Sequence, residues 1–128
     1  MEANTLDEYE VVATGDEAKK PEEQTVFSVT TLTFEQDTFI ENQISEGVGE
    51  GTILANVLNM GLKGVKNLKG DGGTVELERQ EVKEGELLPG KVAPWKNESI
   101  SRIPILQRSI LSKQIRFGNQ LTGKEVKN

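Results

Sequence analysis

The clearest hydrophobic pattern in the chain runs from Thr25 to Phe34, Thr-Val-Phe-Ser-Val-Thr-Thr-Leu-Thr-Phe, without Gly or Pro. Such a β-branched and aromatic run predicts a strand. Val26, Ser28, Thr30, Leu32 and Phe34 fall on one face and Phe27, Val29, Thr31 and Thr33 on the other, so both sides are mixed and the strand is expected to be packed on both. Glu35-Gln36-Asp37 reads as a turn, and Thr38 to Ile44 as a short strand, with a single helical stretch as the alternative. Ile53, Leu54, Val57, Leu58, Gly61 and Leu62 recur at intervals of three and four, which predicts a helix over 52–62 with Thr52 as its N-cap. Gly61 and Gly64 weaken its far end, while Lys63, Lys66 and Lys69 place cations where the helix dipole favours them.

Beyond a Gly-rich turn at 69–73, alternation over 74–82 predicts a half-exposed strand with Val75 and Leu77 inward. Lys83 to Glu86 reads as a hairpin turn. Pro89 and Pro94 make the stretch from Leu87 to Trp95 an edge or an extended arm. Ser99 to Phe117 carries eight large apolar residues interleaved with Arg102, Arg108, Lys113 and Arg116, and Pro104 divides it. The expectation is extended chain before the proline, then a helix over 106–116 closed by Gly118.

Together these elements predict an α+β fold, a small mixed sheet built around 25–34 and 74–82 with one or two short helices and extended N- and C-terminal arms. A mostly β small barrel is the alternative. The domain reading is an acidic flexible arm over 1–24, a small globular domain over 25–118 and a polar, mostly unstructured tail over 119–128. Within the arm, Leu6, Tyr9, Val11 and Val12 form a small apolar cluster able to order against a partner surface.

Charge sharpens this picture. Residues 1–50 hold 13 carboxylates and 2 lysines, whereas residues 51–128 hold 13 Lys/Arg and 8 carboxylates, a split of −11 against +5. Only 34% of residues are apolar and 13 are Gly, so part of the chain contributes little to a core. His and Cys are both absent, which excludes imidazole base catalysis, the Ser-His-Asp triad, thiol nucleophiles, disulfides and Cys- or His-ligated metals. The sequence therefore predicts no enzyme, no cofactor and no metal.

Three motifs have competing explanations. The glycines of Gly47 to Thr52 suggest a phosphate loop, but the Gly-Lys-Ser/Thr ending is missing and Glu50 stands where phosphate would sit, so a linker is expected. Glu76, Glu78, Glu81, Glu84 and Glu86 have the oxygens for a hard cation, yet their spacing suits the solvated face of a strand. Asn97-Glu98-Ser99 fits a glycosylation acceptor, but the N-terminus lacks the basic-then-apolar pattern of a secretory signal, and the match is read as chance. No apolar run approaches the roughly 20 residues of a membrane span.

Residues 96–128 carry seven Lys/Arg against two Glu, a basic and apolar segment suited to docking on protein. The expected function is that of a non-enzymatic structural or assembly protein that binds neighbouring chains, its own copies or other subunits, through arms. A virion component (capsid, decoration, connector or scaffold) fits that style of composition. Trp95, Arg102, Ile103, Leu106, Arg108, Ile110, Arg116 and Phe117 are the expected partner-binding residues, because aromatic, aliphatic and Arg anchors dominate interfaces. The alternative is a single-stranded nucleic-acid accessory covered by its acidic arm. No membrane partner or small-molecule ligand is expected, and the compartment is expected to be the cytoplasm, or the virion in the viral case.

Overall fold

The structure, a computed structural model, describes residues 8–127, with side chains through residue 118. Its elements are β1 (Glu8–Val12), β2 (Val26–Thr30), α1 (Phe34–Ser45), α2 (Glu50–Gly61), β3 (Leu62–Lys66), β4 (Lys69–Gly70), β5 (Gly73–Thr74), α3 (Asn97–Ile100) and α4 (Ile105–Lys127). Single 3-10 turns lie at Pro21–Glu23 and Glu84–Glu86. This is an α+β fold with two small antiparallel sheets, and no barrel closes among the described residues.

The main sheet has the order β1-β2-β3. Tyr9 lies opposite Val29 and Val11 opposite Phe27, while Val65 faces Phe27 from the other side. The period of two turns Tyr9, Val11, Phe27 and Val29 toward the helices, a register shift opposite Ser28 and Val29 brings Leu62 and Val65 to the same face, and Phe27, Val29 and Leu62 are fully covered. Ile40, Val57, Leu58, Met60, Leu68, Ile103, Leu111 and Ile115 complete the core.

Several expectations change. The strand predicted over 25–34 ends at Thr30, because Thr33 caps a helix: its Oγ1 accepts from the Gln36 amide at 3.1 Å, and the Gln36 side chain accepts from the Thr33 amide at 3.0 Å. This reciprocal capping box converts the expected turn at 35–37 and the expected strand at 38–44 into α1. The helix stops at Gly47, whose φ of 77° few other residues tolerate, with the Gly47 amide donating to Ile44 O and the Val48 amide to Gln43 O. Gly49, not Thr52, is the N-cap of α2, so the glycine-rich stretch is two helix ends joined back to back.

The sheet partner of β2 is β3, not the segment 74–82. Val75 and Leu77 do pack against the core as expected, but that segment contributes only the hairpin β4–β5 and a single bridge between Arg79 and Trp95. The nearby prolines 89 and 94 cannot donate to a ladder. The stretch before Pro104 is not extended either, since Asn97–Ile100 forms a helical turn.

The ends differ most. From Glu8 onward the acidic segment belongs to the fold: the Tyr9 hydroxyl donates to Gln114 O at 2.5 Å, the Thr14 amide to Gln107 Oε1 at 2.8 Å, and the Thr25 amide to Asp16 Oδ2 at 2.8 Å. Tyr9, Val11 and Ala13 supply the apolar face that makes this possible. Leu6 lies outside the described residues. At the other end α4 continues through Gly118 to Lys127, so the expected helix end and unstructured tail are replaced by helix, with Asn128 outside the described residues. Gly118 serves close approach instead, because a Cβ there would collide with the Tyr9 hydroxyl.

Candidate functional site

Helix α4 has two sequence-encoded faces. Gln107, Leu111, Ile115 and Gly118, spaced at three and four, are buried against the sheet and α2. Leu106, Ile110, Lys113 and Phe117, spaced at four, three and four, form a second row turned away from that buried face. Leu106 is 70% exposed and Phe117 42%, while Ile110 is half-buried. Ile105 is also exposed, and Phe34, at the start of α1, is 88% exposed. Leu106 and Ile110 lie one turn apart on this row, and exposed Lys113 stands between them and Phe117.

Arg116 anchors the opposite flank of α4. Its Nη2 lies 2.7 Å from Glu41 Oε1 and 3.9 Å from Asp37 Oδ1, and its guanidinium stands 4.8 Å from the centre of the Phe117 ring. It forms the shared wall of two open clefts. One, about 350 Å³, runs between α1, α2 and α4 and is lined by Ile44, Val48, Ile53 and Leu54; the other, about 340 Å³, is lined by Leu32, Phe34 and Phe117.

Of the expected partner-binding residues, the structure brings Leu106, Ile110 and Phe117 onto this single row, while Arg116 faces α1 through Glu41. Two others lie in the interior. Ile103 is fully buried, placed there by the turn that α3 and Pro104 create. Trp95 is 5% exposed; its Nε1 donates to Leu62 O at 3.2 Å, and its ring lies 3.6 Å beneath the Arg79 guanidinium. The cause is Arg79, which sequence reading passed over because it falls within an alternating segment. Arg79 donates to Asn59 O and Ala93 O at 2.7 Å and to Leu62 O at 3.2 Å, tying the 79–95 segment to the end of α2, where a cation offsets the helix dipole. Burial lowers the Arg79 pKa.

The remaining basic positions are divided. Arg108 Nε donates to Ile103 O at 2.8 Å and holds the start of α4 in place. Arg102 is exposed but lines a separate cleft of about 380 Å³ with Glu76, Glu78, Glu98 and Ser99. Lys96 holds the Glu78 carboxyl below its ordinary range from 2.8 Å, and Glu78 in turn raises Lys96. Among the described residues no cluster of three or more Asp or Glu could hold a metal. No helix among them is long and apolar enough to cross a membrane.

Phe34 and Ile105 were legible as exposed only from their neighbours. The Thr33-x-x-Gln36 capping signature puts Phe34 at the first helical position, outside the core, and Ile105 holds the same place after Pro104. Comparison with protein families, characterised proteins and solved structures finds no match.

Proposed function

We propose that this protein is a non-enzymatic assembly component that docks on a neighbouring protein chain through the outer face of α4. The observation that carries this reading is the stripe of Leu106, Ile110 and Phe117, apolar on the solvent side of a helix whose other side already fills the core. A virion shell, connector or scaffold is one kind of assembly to which such a component belongs. The nucleic-acid reading draws less support, since Trp95 is buried, Arg108 is bonded to backbone and Arg116 is paired with Glu41.

The test is proximity cross-linking of the full chain in its source cells, comparing wild type with Leu106→Asp/Ile110→Asp, both first shown folded by circular dichroism. A defined protein partner cross-linked through α4 in the wild type and lost in the variant is the expected result. An unchanged partner set in the variant would reject the surface. So would salt-sensitive binding of a single-stranded oligonucleotide that both proteins share.

A further inference from the structure

Resting on that reading, we infer that the partner enters as an extended strand added to the free edge of β1, beneath α4, with apolar side chains alternating with Lys or Arg. Four observations converge on this edge. The three-stranded sheet has β1 at one margin, paired on one side only among the described residues. The β3 margin is blocked at Leu62, whose carbonyl already accepts from Trp95 Nε1 and Arg79 Nη2.

Helix α4 also runs antiparallel along β1. Gln107 meets Thr14 at one end, while Gln114 and Gly118 meet Tyr9 at the other. Its α2 and α1 side is marked by Ile115 against Gly61 and Arg116 against Glu41. The Leu106 and Ile110 positions therefore fall on the opposite flank, over the space a fourth strand would occupy. Tyr9, Val11 and Ala13 turn toward the core from β1 yet remain half-buried, as expected of an apolar layer that stops one strand short.

The charge pattern selects the occupant. Glu8 and Glu10 share the outer face of β1, opposite Thr30 and Ser28, and neither forms an ion pair within 4.0 Å among the described residues. In a twofold pairing of β1 with β1 of a second copy, these carboxylates would face one another across the ladder, which is repulsive. A strand with basic residues on that face matches them, while its alternate apolar residues lie under Leu106 and Ile110.

The probe is an acetylated, amidated peptide of alternating Lys and Val, compared with a Lys-block/Val-block peptide of equal composition and an alternating Glu and Val peptide. Amide exchange at Glu8–Val12 and methyl shifts at Leu106 and Ile110 are read by NMR on the full chain. Protection of the β1 amides by the alternating Lys peptide alone is expected, with affinity about fivefold weaker in Glu10→Lys. Leu106→Asp should weaken it separately, leaving the β2 amides protected as a sign of an intact fold. Exchange at β1 that stays unchanged up to the solubility limit of the peptide, or equal protection by either control, overturns the inference. If a cross-linked natural partner shifts the α4 methyls while β1 exchanges freely, strand addition fails and docking on α4 stands; if neither moves, both fail.

Discussion

Arg79 shows how one side chain decides whether its neighbours are surface or interior. Its fork spans three carbonyls and roofs Trp95, so it combines the tasks of a helix cap, a loop clasp and an aromatic stacking partner. Replacing it with Lys keeps the charge but offers no planar fork, and we expect a loss of about 2 kcal/mol in urea unfolding, with Arg79→Met costing more as buried carbonyls lose their donors. Trp95 fluorescence reports the same event directly, as a red shift on exposure. Gly61 is a second such residue: a Cβ there would collide with Ile115, so Gly61→Ala should destabilise by about 1–3 kcal/mol even though Ala favours helix. Titration has two limbs. The Thr25 amide first, and then Lys19, hold the Asp16 carboxyl below its usual range. A carboxyl depressed by folding adds stability above its unfolded pKa and loses it as pH falls through the folded one, so urea midpoints should decline in acid and decline less in Asp16→Asn. Burial raises the Tyr9 phenol, which donates to Gln114 O; that contribution is present below the ordinary phenol range and is lost as pH rises through the folded value. Tyr9→Phe should flatten the alkaline limb.

For the separate elements, the caps are decisive. Thr33→Ala removes one half of the capping box that starts α1 and should cost about 1 kcal/mol, measured as a lowered thermal midpoint. Retention of full stability would mean that Gln36, bonded also to Pro89 O, fixes the helix start alone. This element also marks where sequence reading succeeds and fails. The period of α2 was plain because four of its residues face one core, and the β2 run was plain because Phe27 and Val29 alternate inward. Helix α1 was obscured: its buried residues are only Gln36 and Ile40, too few for a stripe, and the informative signal was the Thr-x-x-Gln spacing. The pairing of β2 with β3 was not legible, since β3 follows α2 without a loop and shows little alternation. In the candidate surface, Leu106, Ile110 and Phe117 could be read from helical spacing. The burial of Trp95 could not, because its partners come from two segments remote from it in sequence, Asn59 and Leu62 at the α2–β3 junction and Arg79 beyond the β4–β5 hairpin.

At the scale of the molecule, the charge split recorded along the sequence becomes a split across the sheet: Glu8 and Glu10 lie at one margin, Lys63 and Lys66 at the other. Lys63 is held below its ordinary range by burial and by nearby Arg79. The acidic segment from Glu8 onward therefore cannot be removed as a mere tail. Deleting residues 1–14 should abolish cooperative unfolding, as followed by circular dichroism, because it strips a strand from a three-stranded sheet. The hydrogen bond between Tyr9 and Gln114 joins residues 105 apart in the sequence. Loop-closure entropy must be met before such a contact can form, and translation delivers the N-terminal side first. During synthesis β1 therefore waits, its tyrosine uncovered, until α4 has emerged. A ribosome halted before Gln114 holds a chain whose strand edge and apolar core remain open to chaperones, and β1 closes onto the core only when α4 is free to pack.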